Sequence, residues 1–261
     1  MPTRRPDSSK PSPLRGQPRV QAAPSAPVGV DDFEARTYQA QGGKLPYRLF
    51  RPANYDPDRK YPLILVLHGA SSRGTDNLKQ LEDSNGPMYW ASGAVQALQQ
   101  AFVVAPQSDP RYAPTWVRAW RSPARPDPKR PEPLELAMSL VRELRKEFSL
   151  DSDRLYLVGY SMGGFGAWIG ASRHPDLFAA AVPIAGGGDP TDIVGTTANI
   201  WAFHGAADRV VPVRRSRQMV DALKKAGVDV RYTEYPGVGH EVWKLVYDDA
   251  QLPRWLFDQS R

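Results

Sequence analysis

Cysteine is absent from this chain of 261 residues. The chain therefore has no disulfide framework, no thiolate nucleophile and no cysteine-based metal site. This absence leaves the redox compartment open, because a secreted protein can also lack disulfides. The length suits one large domain better than two. The hydrophobic fraction of 41% and the charged fraction of 24% are ordinary for a soluble globular protein.

Long apolar runs are also missing, since no stretch approaches the roughly 18 consecutive apolar residues that span a bilayer. The N-terminus is basic, but residues 11–27 contain no apolar core of a secretory signal. The Ala-, Pro- and Ser-rich residues 21–27 would suit a linker after a removed export signal, and they would equally suit a mis-called start codon. The compartment is therefore undetermined, with secretion or the periplasm favoured if an export signal lies upstream and the cytoplasm otherwise.

The net charge of +6 is modest, and part of it falls at the start of the chain. A basic tail can bind nucleic acid or an anionic surface, but this one has no aromatic residues and no periodicity. We interpret residues 1–30 as a disordered, Pro/Ser-rich leader or linker with no nucleic-acid partner. Residues 31–261 are predicted to form the catalytic domain.

Apolar runs and amphipathic segments alternate along the rest of the chain. Two strands around a Gly-Gly turn are predicted to pair antiparallel, and continuous apolar runs such as residues 61–67 are typical of strands that are buried on both faces. The predicted strands are 33–39, 45–51, 61–67, 102–105, 154–159, 178–185, 200–204 and 228–235, and the predicted helices are 132–148, 162–173, 214–225 and 242–257. Such alternation predicts an α/β fold with a mostly parallel central sheet, an antiparallel N-terminal edge and helices on both faces. The short segment after residue 185 leaves no room for a large lid domain.

Residues 159–163 read Gly-Tyr-Ser-Met-Gly, with Ser161 at the centre. The pattern Gly-x-Ser-x-Gly is weak alone, but here an apolar strand precedes it and a helix follows it. A tight turn at that junction presents the hydroxyl above the carboxyl ends of the strands, where open α/β sheets place their sites. The alternative is a Gly-rich helix start that packs closely and does no chemistry.

A serine nucleophile needs a base, and the chain has four histidines. His174 is interpreted as a helix C-terminal cap, while His68 and His204 each end a buried strand and precede a glycine, so they are expected to shape loops. His240 lies in a glycine-rich loop just after the last strand, which makes it the predicted base.

The imidazole in turn needs an acid that fixes its tautomer. Asp208 follows the strand at 200–204, and the order Ser161, Asp208, His240 is the order that an α/β-hydrolase uses. Asp189 is a rival acid, and the alternative for Asp208 is that it merely caps a turn.

The third requirement is a pair of N–H donors for an oxyanion. Met162, which follows the nucleophile, is predicted to supply one. The loop that begins at His68 is predicted to supply the other, with Ala70 as the donor.

Several segments together carry a resemblance to a known group of enzymes. They are residues 45–50, 61–69, 73–77, 104–107, 151–168, 203–212 and 237–240. Over about residues 33–257 the chain resembles the compact esterases of the α/β-hydrolase fold that are related to poly(3-hydroxybutyrate) depolymerases, feruloyl esterases and prolyl oligopeptidase-type catalytic domains. The resemblance implies ester hydrolysis through an acyl-enzyme carried by Ser161, Asp208 and His240.

The substrate is expected to be a small-molecule or polymer-end ester, with no cofactor and no metal. An insertion at residues 107–133 leaves a strand end near the predicted site. Trp116 or Trp120 is hypothesised to form a pocket wall and Arg118 to bind an anionic substrate end; the alternative is that the tryptophans pack the loop onto the body. Two other functions stay open: a serine peptidase acting on short peptides, and a non-catalytic binding protein with this fold. The oligomeric state is not predicted.

Overall fold

The computed structural model describes residues 27–40, 42–113, 115–117 and 131–261. Most of the predicted leader, residues 1–26, lies outside the described residues. In the described part, the strands are β1 (Phe33–Ala40), β2 (Gly43–Phe50), β3 (Tyr61–Leu67), β4 (Phe102–Pro106), β5 (Leu150–Tyr160), β6 (Ala180–Ile184), β7 (Asn199–Gly205) and β8 (Val230–Tyr235).

These strands form one sheet in the order β1-β2-β4-β3-β5-β6-β7-β8. Strand β2 runs antiparallel to β1 and to β4, whereas all other neighbouring pairs are parallel. The predicted mostly parallel sheet with an antiparallel N-terminal edge is therefore confirmed. Because β3, β5, β7 and β8 are parallel, their carboxyl ends lie at one edge of the sheet, where crossover loops can bring distant side chains together.

Helices cover both faces of this sheet. They are α1 (Lys79–Glu82), α2 (Gly86–Ala91), α3 (Gly93–Leu98), α4 (Pro133–Glu147), α5 (Met162–Arg173), α6 (Arg214–Lys225), α7 (Trp243–Asp248) and α8 (Gln251–Phe257). Helices α4, α5 and α6 pack on one face, and α1, α2, α3, α7 and α8 contribute to the core on the other.

Strand β3 shows why its residues read as one unbroken apolar run. Leu63, Leu65 and Leu67 point into the core beneath α4 and α5, while Ile64 and Val66 point into the opposite core. Successive side chains of a strand alternate between faces, so a strand that is covered on both sides needs apolar residues at every position.

Most predicted boundaries lie within two residues of the observed ones, and two differ by more. The last helix, predicted as 242–257, is broken at Asp249 and Ala250 into α7 and α8. Strand β5 begins at Leu150 rather than at 154, because Leu150 already pairs with Tyr61 of β3, ahead of a register shift before the pair Leu63 and Leu155. Between β6 and β7 the chain forms only the short 3-10 turn Ile193–Gly195, and no lid is built there.

Over the described residues, none of the helices combines the length and apolar character that crossing a membrane requires.

Candidate active site

Ser161 sits at the junction of β5 and α5 in a strained backbone conformation, with φ 54° and ψ −115°. This region is costly for a residue with a Cβ, and a folded protein keeps it only where the surroundings enforce it. Here the N–H of Ser161 donates to the carbonyl of Ile184 at 2.8 Å, and the carbonyl of Ser161 accepts the N–H of Phe165 at 3.0 Å. The turn is thus anchored to β6 on one side and to α5 on the other.

Glycines on both sides of Ser161 permit this turn. A Cβ at Gly159 would overlap the carbonyl oxygen of Gly163, and a Cβ at Gly163 would overlap the carbonyl oxygen of Leu67 at the end of β3. The Gly-x-Ser-x-Gly pattern is therefore a packing requirement of the strand-turn-helix junction.

Three of the predicted site residues meet at this junction. Nε2 of His240 lies 2.9 Å from Oγ of Ser161, and Nδ1 of His240 lies 2.7 Å from Oδ2 of Asp208. The carboxylate of Asp208 is fully buried, whereas the side chain of His240 keeps 18% of its surface exposed. A single imidazole therefore bridges a hydroxyl at the mouth of the site and a carboxylate behind it.

The loop after β7 holds Asp208 by its main chain. The other carboxylate oxygen, Oδ1, accepts the N–H groups of Val210 at 2.8 Å and Val211 at 2.9 Å. These bonds leave Oδ2 facing His240. The rival acid Asp189 is used elsewhere, since its Oδ1 accepts the N–H and the hydroxyl of Thr191.

Tyr160, the residue before Ser161, supports the loop that carries His240. The hydroxyl of Tyr160 donates to the main-chain carbonyl of His240 at 3.1 Å, and the two rings lie 5.2 Å apart. Burial raises the pKa of Tyr160, so the phenol stays protonated as a donor. Tyr160 thereby ties the loop after β8 to the end of β5.

The loop after β3 carries the predicted donor Ala70. Its preceding peptide is held on both sides, because the carbonyl of His68 accepts the indole N–H of Trp116 at 3.0 Å and the N–H of Gly69 donates to the carboxylate of Asp83. The carbonyl of Gly69 lies 2.6 Å from Nδ1 of His68. Because C=O and N–H of a trans peptide point in opposite directions, this contact turns the N–H of Ala70 away from the His68 ring.

The His68 ring can make that contact in only one tautomer. Its Nε2 accepts the N–H of Ser108 at 3.0 Å, so the proton of the neutral ring is on Nδ1 and is donated to Gly69. Burial lowers the pKa of His68 to about 4, which keeps the ring neutral near pH 7.

The second predicted donor, Met162, is the first residue of α5, so its N–H has no acceptor within the helix. Within the described part of the chain, the N–H groups of Ala70 and Met162 have no protein acceptor. Both amides are therefore available to a ligand oxygen.

Of the three residues predicted to contact substrate, the structure describes one, Trp116. Trp116 is 1% exposed, donates to His68 and packs beside Gly166 of α5. This placement fits the alternative in which the tryptophan packs its loop onto the body, and it offers no open face for a pocket wall. Trp120 and Arg118 lie outside the described residues.

Sequence reasoning missed the roles of Asp83 and Tyr160 and treated the His68 and His204 side chains only as loop-shaping residues. The His-Gly dipeptides at both strand ends and the Tyr at the second position of the serine motif are the signals that were available. His174 lies apart from the site, where it contacts Glu135 at 3.0 Å and Arg142 at 3.2 Å. Across the residues that the structure describes, no group of three or more His, Asp or Glu side chains could hold a metal ion.

This sheet order, with a strained serine after β5, an acid after β7 and a histidine after β8, defines the α/β-hydrolase fold. Residues 39–223 match the protein family described as "Putative esterase", and residues 189–258 match the prolyl oligopeptidase family. The first match covers more than half of the chain, and the chain belongs to this esterase family.

Individual relatives agree with that assignment. The chain is 28% identical over 232 residues to "Putative esterase NocK" of Nocardia uniformis subsp. tsuyamanensis, covering 86% of this chain and 59% of the relative. It is 30% identical over 128 residues to poly(3-hydroxyalkanoate) depolymerase C of Paucimonas lemoignei, covering 48% and 28%. A crystal structure of a thermostable esterase superposes with a TM-score of 0.80 at 40% identity, covering 89% of this chain and 64% of that one. The chain thus spans less than two thirds of the length of these relatives.

Proposed function

We propose that this protein is a serine hydrolase of carboxylic esters, with Ser161 as nucleophile, His240 as general base and acid, and Asp208 as the orienting acid. The observation that carries the proposal is the single imidazole of His240, which joins the hydroxyl of Ser161 at 2.9 Å to the carboxylate of Asp208 at 2.7 Å. These are distances at which a proton can be transferred.

In the first half of the reaction, Oγ of Ser161 attacks the ester carbonyl carbon while Nε2 of His240 takes the hydroxyl proton. Asp208 accepts the Nδ1–H bond and stabilises the imidazolium that forms. The tetrahedral intermediate then loses its alkoxide, which receives the proton from Nε2 and leaves as an alcohol. The acyl group stays bound to Ser161 as an ester.

In the second half, a water molecule gives a proton to Nε2 of His240 and attacks the acyl carbon. Collapse of this second intermediate breaks the bond to Oγ of Ser161, which recovers its proton from His240. The products are a carboxylic acid and the free enzyme, and the sum of both halves is hydrolysis of one ester bond by one water.

The negative oxygen that develops in both intermediates needs donors that are already in place. We assign this role to the N–H groups of Ala70 and Met162. The contact between His68 and the Gly69 carbonyl supports the first assignment because it orients the Ala70 amide. The position of Met162 at the start of α5 supports the second, because the positive end of the helix dipole adds to its N–H.

The substrate class that we propose is a small or medium ester, or the ester-linked end of a polymer. Kinship with the esterase family supports ester cleavage. The partial match to a poly(3-hydroxyalkanoate) depolymerase supports a polyester end as one candidate.

Turnover of p-nitrophenyl esters of graded acyl length tests this function. Ser161→Ala is expected to lower kcat by on the order of 10⁴-fold or more, because the nucleophile and its proton transfer are both lost. Ser172→Ala is a matched control, since its hydroxyl only donates to the carbonyl of Trp168 within α5. Ester turnover that survives in Ser161→Ala would refute the assignment.

A serine peptidase is the second candidate, because the prolyl oligopeptidase family matches the segment that contains Asp208 and His240. A peptide p-nitroanilide measured beside the esters separates the two. A kcat/KM for the anilide that equals or exceeds the ester values would favour the peptidase. No turnover of either substrate class would favour a non-catalytic binding protein.

A further inference from the structure

A second buried histidine touches the acid of the site from behind. His204 ends β7, and its side chain has no exposed surface. Its Nε2 lies 3.3 Å from Oδ2 of Asp208, which is the same oxygen that faces His240. The same Nε2 lies 2.9 Å from the carbonyl oxygen of Val211.

These contacts determine where the proton of the ring lies. Nε2 faces two oxygens that can only accept, a carboxylate and a carbonyl, so it must carry a hydrogen. Nδ1 lies 2.7 Å from Oγ of Ser216, whose single proton also faces the carbonyl of Gly186 at 3.0 Å, so Ser216 does not by itself determine the tautomer. Burial lowers the pKa of His204, which favours this neutral ring with the proton on Nε2.

The ring therefore holds Asp208 by two routes. Its Nε2–H donates to the carbonyl of Val211, whose own N–H donates to Oδ1 at 2.9 Å. The same Nε2 also lies 3.3 Å from Oδ2, so the imidazole and the loop from Asp208 to Val211 surround the carboxylate. Ser216, on α6, lies 3.0 Å from the carbonyl of Gly186 as well, which links this ring to the end of β6.

We infer that His204 is a positioning residue for ester hydrolysis: its Nε2–H donates to the carbonyl of Val211 and so holds the loop of Asp208 with the carboxylate facing Nδ1 of His240. This inference rests on the proposed function. It extends the series of polar contacts from Ser161, His240 and Asp208 to His204, whose Nε2 lies 3.3 Å from Oδ2 of Asp208.

The titratable groups around His204 are few. Asp208 and His240 lie on one side, and Glu234 of β8 acts on it from across the strand pair. Glu234 is already paired with Arg217 of α6 at 2.6 Å. Asp208 is therefore the carboxylate in direct contact with the His204 ring.

The test uses four variants of the full chain. His204→Leu removes every donor, whereas His204→Gln places an amide N–H close to the Nε2 position. Ser216→Ala leaves the ring but removes the hydroxyl beside its Nδ1. His174→Gln is the matched control, because His174 also contacts a carboxylate, Glu135 at 3.0 Å, but at the far end of α5.

Kinetics are measured on a p-nitrophenyl ester after titration of active sites with a fluorophosphonate, so that only folded enzyme is counted. His204→Leu is expected to lower kcat roughly 10-fold to 10²-fold with little change in KM, in line with the cost of small misplacements in a catalytic site. His204→Gln should restore most of that loss, and Ser216→Ala should fall between them. The acid limb of the pH profile of kcat/KM should move to higher pH in His204→Leu, because the Asp208 carboxylate loses a polar group 3.3 Å from Oδ2 and acts more strongly on His240.

Two results would overturn the inference. One is that His204→Leu has the same kcat, and the same acid limb of its pH profile, as the control His174→Gln. The other is a loss that His204→Gln does not restore and that leaves the acid limb in place, as a purely structural role would. Asp208→Asn separates this failure from failure of the proposed function: if Asp208→Asn itself keeps full activity, the assignment of the acid is wrong.

Discussion

A His-Gly dipeptide follows strand β3, as His68-Gly69, and another ends strand β7, as His204-Gly205, and both imidazoles are buried. After β3, the His68 ring carries its proton on Nδ1 and donates it to the carbonyl of the next residue, Gly69. At the end of β7 the ring carries its proton on Nε2 and directs it to the loop of Asp208. In the proposed mechanism, His68-Gly69 therefore supports the oxyanion donor Ala70, and His204-Gly205 supports the acid Asp208.

The difference comes from the partner on the other ring nitrogen. A main-chain N–H, from Ser108, can only donate, so it leaves the proton on the opposite nitrogen of His68. The hydroxyl of Ser216 can donate or accept, so the tautomer of His204 depends on the oxygens at Nε2. The tautomer of the first histidine is thus fixed by a donor at Nε2, whereas that of the second is fixed by acceptors at Nε2.

The largest effect is expected from a Cβ on the glycines of the two dipeptides. A Cβ at Gly205 would overlap the carbonyl oxygens of Val238 and Gly239, which lie in the loop that carries His240. A Cβ at Gly69 would meet only a side chain, with Oδ2 of Asp83 at 2.9 Å. We expect Gly205→Ala to lower kcat/KM by at least about 10²-fold through displacement of His240. Gly69→Ala should lower it by about 10-fold, as kinetics on a p-nitrophenyl ester would measure. Equal losses in the two variants would mean that the loops tolerate displacement equally.

The next effect sharpens the role of His68. His68→Leu removes the donor that fixes the Gly69 carbonyl, and we expect kcat to fall roughly 10-fold to 10²-fold, which is less than or close to the loss of a whole oxyanion donor. His68→Asn places an amide N–H near the Nδ1 position and should recover most of the rate. Affinity for a trifluoromethyl ketone analogue should weaken in parallel with kcat. A His68→Leu enzyme that keeps its affinity for the analogue would contradict the oxyanion role.

The smallest effect concerns pH and stability. The pKa of His68 falls from 6.5 in the unfolded chain to about 4 in the fold, so the unfolded state binds more protons between these values. The free energy of unfolding therefore decreases as the pH is lowered from 6.5 to 4, by about 3 kcal/mol for this group. The decrease from this group is absent above pH 6.5 and complete near pH 4.

Denaturant unfolding at several pH values, compared between the parent chain and two variants, checks this. His68→Asn should flatten the pH dependence, whereas His204→Gln should flatten it less, because Asp208 partly offsets the desolvation of His204. An unchanged slope in His68→Asn would show that the buried ring accepts a proton without cost.

The parts of the fold that sequence reasoning could reach are those with a strong local pattern. The run from Tyr61 to Leu67 reads as a strand because both faces are buried, and the glycines around Ser161 record a packing constraint. The order of Ser161, Asp208 and His240 along the chain follows from which strand ends meet at one edge of a parallel sheet.

The rest depends on contacts between distant segments. Helices α1, α2 and α3 have only four to six residues each, too few to show a helical period. Asp83 contacts Gly69 from a turn in which Ser84 and Asn85 both have positive φ, at 49° and 52°. The pair Ser-Asn is not a sequence pattern that predicts two consecutive residues in this conformation. The orientation of Trp116 depends on a single carbonyl 48 residues earlier in the chain, which no local pattern encodes.

Helix α5 has one more consequence, which follows from its glycines at positions 163, 164, 166 and 170. Each glycine costs a helix about 1 kcal/mol relative to alanine, so this segment has little intrinsic tendency to be helical. Its stability is tertiary, because Gly163 rests on β3 and Gly164 rests on the end of β6. Ser161, the proposed nucleophile, therefore has no local structure that would survive separation of these strands. If the proposed mechanism holds, ester turnover will be lost whenever the central strands separate.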